Sequence, residues 1–238
     1  MTDSPLKEYL LDQAIEYEQL AHSLHWHLEL ERNNDSNEPK LKNFYNEMWD
    51  DLMKSLEDHS PVVWRAITEG REFKDKMHGV SVFVKEAIRG NIASKKPKFR
   101  EEIRNQSSDN CMIDFGPDGI TSPLDPSSKY YGVEADMSTI FRSAIQPILF
   151  QMKTRCFSTN PEERETQEMP EMQRTGIIFK NGDDLRQDQL ILMLFKLMDM
   201  LLKEVNLDFK FTCYRCIAVT KEVGFMECVP NSDTIQQV

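Results

Sequence analysis

No apolar run in this 238-residue chain is longer than Leu190 to Phe195, far short of the roughly 20 residues that cross a bilayer. The N-terminus carries no basic and apolar leader, because Met1-Thr2-Asp3-Ser4 runs straight into an acidic amphipathic segment. Positive charge is in deficit: 29 Lys and Arg face 40 Asp and Glu, for a net charge of -11. That balance argues against a nucleic-acid partner, and a flat acidic surface is a poor match for anionic lipid. Cysteine is scarce. Cys111, Cys156, Cys213, Cys216 and Cys228 are odd in number and show no disulfide framework. These absences predict a cytoplasmic, soluble chain from a reducing compartment, long enough for one large domain or two modest ones.

What is present changes character near residue 105. Before it, Leu10, Ala14 and Tyr17, then Leu20, Leu24, Leu28 and Leu30, recur at helical spacing. Phe44, Met48, Leu52 and Leu56 form the next stripe, and Val80, Phe83, Val84, Ala87 and Ile88 another, with Pro39 and Pro61 at helix boundaries. Short connections predict an antiparallel, solenoid-like array of helices over residues 1–104. Residues 105–131 are rich in Ser, Asp, Pro and Gly and read as a linker. Residues 132–238 offer strands at Ile148–Lys153, Gly176–Lys180, Phe209–Cys213, Ile217–Thr220 and Phe225–Val229, interrupted by one long helix, about Leu185 to Glu204. Thr154 to Arg174, acidic and poor in apolar residues, reads as an exposed hairpin loop. The fold class is α+β.

One stretch carries chemistry. Thr175-Gly176-Ile177-Ile178-Phe179 leads into Lys180-Asn181-Gly182-Asp183-Asp184-Leu185-Arg186-Gln187-Asp188. It reads as a buried strand ending in lysine, a glycine turn, and a helix opening with carboxylates. Asp184 and Gln187 have capping-box spacing. At 100° per residue Asp188 falls between Leu185 and Leu192 on the edge of a broad apolar arc, with Gln189, Lys196 and Lys203 opposite. Asp188 is therefore expected to face the body of the domain and to pair with Lys180. A phosphate-binding lysine held by a carboxylate on an adjacent helix is kinase geometry, although such a pair alone is more often a surface contact.

The nine-residue string resembles the signature of the phosphatidylinositol 3-kinase family, nearly residue for residue. Leu197-Met198-Asp199-Met200-Leu201-Leu202-Lys203 and Asn206-Leu207-Asp208-Phe209-Lys210 are most similar to class III. The resemblance implies a helical accessory domain followed by the N-terminal lobe of a kinase, an antiparallel sheet with one long helix. It implies ATP as cosubstrate, with Lys180 and Asp188 in its site and Ser143, in the loop Phe141-Arg142-Ser143-Ala144-Ile145-Gln146-Pro147, on phosphate. It also implies Tyr214 beside the carboxylate and a hinge at Gly224-Phe225-Met226-Glu227-Cys228-Val229, where the Glu227 carbonyl and Val229 amide hold adenine. The implied reaction is γ-phosphoryl transfer to the 3-hydroxyl of phosphatidylinositol, at endosomal and autophagosome-precursor membranes. The implied partners are a protein-kinase-like regulatory subunit and a Beclin-type subunit. The acidic stretch Arg155 to Thr175 is longer than is usual in the family, and Cys213 stands where proline is frequent.

Three other features invite readings. Cys213-Tyr214-Arg215-Cys216 has metal or redox spacing, but on a strand the two sulfurs would diverge, and zinc needs four ligands. His22 and His25 share a helix face and His27 does not, so a packed helix around Trp26 is expected and no metal. Asp114-Phe115-Gly116 matches the magnesium triad of kinases, yet it precedes the lysine and the hinge and is expected to be a coincidence. No Asp-Arg-His loop follows before Val238, so no catalytic residue is expected in this chain. Magnesium or manganese would be held by a missing C-terminal lobe. The chain is expected either to be a fragment of a kinase, inactive alone, or to be a non-catalytic interaction module with half a nucleotide site.

Overall fold

The computed structural model describes residues 4–105 and 112–232; Met1, Thr2, Asp3, Cys111 and the terminus through Val238 lie outside them. The first half is helical: α1 Pro5–Glu16, α2 Glu18–Arg32, α3 Pro39–His59, α4 Pro61–Val82, a π-turn Phe83–Ala87, and α5 Ile92–Asn105. Pro5, Pro39 and Pro61 each open a helix, where the missing N–H costs nothing. The remainder is β1 Met112–Asp114, β2 Ile120–Thr121, β3 Ser128–Ile140, β4 Ile148–Cys156, α6 Pro161–Thr166, β5 Gln173–Asn181, α7 Arg186–Glu204, β6 Cys216–Ala218 and β7 Val223–Glu227. The strands form one antiparallel sheet in the order β1-β3-β4-β5-β7-β6, with β2 also on β3. The α+β class follows directly. No described helix is long and apolar enough to cross a membrane.

Two cores stabilise this arrangement. One lies within α1–α4 around Ala21, Leu28, Leu52 and Leu56. The other is shared: Phe73, Met77 and Val80 of α4 and Phe99 and Ile103 of α5 pack on Val133, Phe150, Ile177, Phe179 and Phe225 of the sheet. Alternation does this work, since Ile148, Phe150 and Met152 on β4 and Ile177 and Phe179 on β5 point to the helices. Helical array and sheet are therefore halves of one apolar interior.

Four expectations need correction. Residues 112–131 do not simply wrap a surface; β1, β2 and the start of β3 join the sheet. Their Ser and Asp content builds the turn between β2 and β3, where Ser122 Oγ accepts the Leu124 and Asp125 amides and Asp125 accepts the Ser127 amide. The proposed strand Phe209–Cys213 does not form. Lys210 sits at φ 57°, and its amide donates to the Asp208 carboxylate, so the chain turns where a strand would extend. The stretch Thr154 to Arg174 is less loop than expected, because β4 runs to Cys156, α6 intervenes, and β5 begins at Gln173.

The fourth concerns α7, which buries none of its residues. Leu185, just before it, is fully buried against Leu30 and Ala218, and Gln189 Oε1 accepts the Ala218 amide at 2.9 Å. The polar side of α7 thus meets β6, whose edge amide needs an acceptor, and the apolar arc from Met193 through Leu197 to Leu201 is turned outward. A helix apolar over this much of its circumference has more face than one sheet edge can cover.

Gly224 tests the seam where β7, β6 and Leu185 converge. A Cβ there would lie 2.5 Å from the Ile217 carbonyl oxygen and 2.6 Å from Leu185 Cδ1. Gly224→Ala is expected to cost about 1–3 kcal/mol in urea unfolding, because backbone stands in the way. A loss within 0.5 kcal/mol would contradict the packing.

Candidate functional site

Lys180 lies at the end of β5, opposite Gly224 of β7. Its neighbours Ile177 and Phe179 face the shared core, so Lys180 projects to the opposite side of the sheet, towards α7 and β6. Its Nζ donates to Asp183 Oδ2 at 3.0 Å, and the ammonium is largely but not wholly covered. The expected Lys180–Asp188 pair is not formed. Asp188 is half-buried at the start of α7 and makes no ion pair among the described residues. The turn Asn181–Asp184 lets Asp183, three residues on, reach the ammonium first. Asp188 still shares the space: burial, then the Asp188 charge, push the Cys216 thiol up to about 12, with Lys180 opposing. Cys216, unmentioned in the resemblance, thus feels both the lysine and the aspartate.

The capping box is also absent. Asp184 accepts the Arg186 amide at 3.1 Å and its guanidinium at 2.6 Å, which holds the Asp184 carboxyl below the usual carboxylate range. Gln187 takes no part. Tyr214 is half-buried in irregular chain before β6 and makes no hydrogen bond to a carboxylate among the described residues. Cys213 lies in the same irregular chain, exposed, so strand geometry is not what separates it from Cys216.

Ser143 is exposed in the β3–β4 connection, a compact loop closed by the Phe141 amide on the Pro147 carbonyl at 2.8 Å. Ile148 pairs with Phe179, and a Cβ on Gly182 would lie 3.9 Å from Ile145 Cγ2, so this loop adjoins the turn after Lys180. At the far end of β7, Glu227 donates its amide to the Arg215 carbonyl at 2.9 Å, and its carboxylate accepts the Arg215 amide at 2.7 Å. Two residues on, the Val229 carbonyl accepts Ser232 Oγ at 2.7 Å. The Ser143 loop therefore adjoins the turn after Lys180, while the end of β7 lies three register positions further along, opposite Ile177.

Residues 174–238 match the model of the family described as phosphatidylinositol 3- and 4-kinase. Over 240 residues and 96% of this chain, it is 30% identical to phosphatidylinositol 3-kinase VPS34 of Candida albicans, spanning 23% of that protein. The chain belongs to the phosphatidylinositol 3-kinase family. It is 32% identical to the phosphatidylinositol 3-kinase catalytic subunit type 3 of Caenorhabditis elegans, over 95% of this chain and 24% of that one. Against VPS34 of Arabidopsis thaliana the identity is 28%, over 98% and 27%. The chain thus spans about a quarter of the length of these relatives. The family match begins in β5 and takes in Lys180, α7 and β7.

Asp114-Phe115-Gly116 sits three strands from β5 in the sheet order, roughly 14 Å at the usual strand spacing. The Asp114 carboxylate accepts the Gly116 amide at 2.8 Å, and Phe115 packs edge-on to Phe73 at 5.7 Å. It is a turn with an aromatic anchor. Among the described residues no group of three or more His, Cys, Asp or Glu is arranged to hold a metal. An open cleft of about 730 Å³ between α4 and β2–β3, crossed by the Glu18–Arg164 ion pair, contains none of these site residues.

Proposed function

We propose that this chain supplies the helical support and the phosphate-side half of the ATP site of a phosphatidylinositol 3-kinase. The observation that carries the reading is Lys180 at the end of β5, with the loop of Ser143 and the β6–β7 connection both against the turn that follows it. In this reading Lys180 holds nucleotide phosphate, and Asp188 takes over from Asp183 as its partner when phosphate displaces the half-buried Asp183 carboxylate. Ser143 and its loop cover the phosphates, Tyr214 flanks the adenine, and the main chain of Glu227 and Val229 holds it. Magnesium or manganese would neutralise the triphosphate through ligands beyond these residues, and positioning and charge neutralisation are what phosphoryl transfer demands of the protein. The relatives' names support phosphatidylinositol as the lipid. Endosomal and autophagic membranes, with a protein-kinase-like regulatory subunit and a Beclin-type subunit, follow from the resemblance alone.

The test is a lipid phosphorylation assay on three proteins: the 238-residue chain, the chain extended by a family C-terminal lobe, and that extension with Lys180→Met. The short chain should be inactive and the extension active, with Lys180→Met lowering turnover on the order of 10²-fold or more. Turnover by the short chain, or an extension indifferent to Lys180→Met, rejects the reading. A second reading, a non-catalytic interaction module, is favoured by the outward apolar face of α7. It would gain if the extended chain binds lipid-kinase partners yet shows no lysine-dependent turnover.

A further inference from the structure

Lys95 is 5% exposed, and its ammonium has no carboxylate partner among the described residues. Buried lysines are normally paired with an acid, since an uncompensated charge away from water is expensive. This one donates instead to the Val84 carbonyl at 2.8 Å and to Gln146 Oε1 at 3.0 Å. The π-turn makes the first contact available. Ile88 reaches back five residues to the Phe83 carbonyl, so the Val84 oxygen is passed over by the helix and left for Lys95. Gln146, at φ 49°, is the residue that turns the Ser143 loop back into β4.

A second lysine, Lys85 of the π-turn itself, acts one strand away. Lys85 Nζ donates to the Asn181 carbonyl, and Asn181 Nδ2 reaches Ser81 Oγ of α4 at 3.4 Å. Asn181 follows Lys180 directly, and Gly182, at φ 91°, packs within 3.6 Å (as a Cβ) of the Lys85 ammonium. From the other side the Gly182 and Asp183 amides both donate to the Glu222 carbonyl, at 2.7 and 3.2 Å. The turn after Lys180 is therefore held between the β6–β7 connection and a cation from the helical array.

We infer that Lys85 and Lys95 are positioning residues, through which the helical array sets the two loops that frame Lys180. The inference rests on the nucleotide-site reading above. Lys85 holds the main chain of Asn181, and Lys95 holds the side chain of Gln146 in the loop. Lys95 bridges the helical and sheet halves at the base of the phosphate-side loop.

The experiment uses the full 238-residue chain and the variants Lys85→Met, Lys85→Arg, Lys95→Met and Gln146→Gly, the last keeping the positive φ while removing the amide. Two readouts are taken. The first is amide hydrogen exchange: Lys95→Met and Gln146→Gly should speed exchange at least tenfold in 141–147, Lys85→Met in 181–185. Strand β4 should keep its wild-type rates in all of them, which a general loss of stability would not allow. The second is acylation of Lys180 by an ATP acyl-phosphate, competed with free ATP and compared with a nucleotide-free acylating reagent. Lys85→Met and Lys95→Met should lower the ATP-competable rate at least threefold and leave the nucleotide-free rate unchanged, and Lys85→Arg should restore it. Loop exchange that stays at wild-type rates overturns the inference, as does faster exchange with an unaltered ATP-competable rate. A wild-type chain with no ATP-competable labelling rejects the nucleotide site itself, and the exchange rates then still decide whether the lysines tether the loops.

Discussion

Phe73→Ala should lower the stability of the whole chain by about 3–5 kcal/mol, a large share of the roughly 5–15 kcal/mol that holds a domain folded. Phe73 sits on α4, yet its ring meets Phe115 at 5.7 Å, Tyr130 at 5.6 Å and Phe225 at 5.5 Å, all from the sheet half. Truncation leaves a cavity walled by rigid aromatics that cannot collapse into it. Because the cavity lies between array and sheet, helical and sheet signals should fall together. Urea unfolding followed by tryptophan fluorescence, whose reporters Trp26, Trp49 and Trp64 all lie in the array, and by amide hydrogen exchange in β4 for the sheet measures both. Two separated transitions, or a loss below 1 kcal/mol, would show that the halves stand independently.

Acid should destabilise the helical array in a window set by two histidines. His22 and His25 are buried with all four ring nitrogens lacking a hydrogen-bond partner among the described residues. Burial lowers His22 to about 4 and His25 to about 3, and for His25 the charges of Arg71, His22, Arg32 and Lys74 add to burial. Trp26 and Trp49 pack against His25, with the guanidinium of Arg32 over the Trp49 ring at 4.0 Å. Both folded values lie below the ordinary 6.5, so between them the unfolded chain binds more protons than the folded one. Their neutral burial is fully tolerated above pH 6.5, and stability is lost as pH falls towards 4 and 3. At pH 5 the loss should be about 2 kcal/mol for each imidazole. Comparing urea midpoints at pH 7.5 and pH 5 tests this, and His25→Leu should remove about half of the pH dependence. A flat profile in the wild-type chain would contradict the burial.

Much of this architecture was legible because it rests on periodicity. The stripes at Leu10 to Leu30 and Phe44 to Leu56 became α1–α3, and Ile177-Ile178-Phe179 became the centre of β5. The placement of Lys180 followed from the same alternation. What could not be read was which partner wins when several are near. Asp183, Asp184 and Asp188 all precede or enter one helix, and the short turn through Gly182 gave Asp183 the ammonium. The rotation of α7 was misjudged because a moment shows where the apolar arc lies, not what is available to cover it. At β6 the requirement of the Ala218 amide for an acceptor brought in Gln189. Composition also misled at 112–131, where Ser and Asp form a structured turn between strands. Lys85 and Lys95 gave no signal at all, since their roles depend on a π-turn and on contacts across 96 and 51 residues of chain.

The shared interior has a consequence for how such a chain can be divided. By composition, the interval between Asn105 and Met112 is the natural place to cut, and a gene fusion or truncation would be drawn there. A cut at that point parts Phe99 and Ile103 from Val133 and Phe150, and strips Phe179 and Phe225 of the helical layer that shields them. Each piece would carry a large apolar wound matched by the wound of the other. The two pieces should therefore behave as complementing fragments, adhesive apart and soluble only when rejoined through this interior.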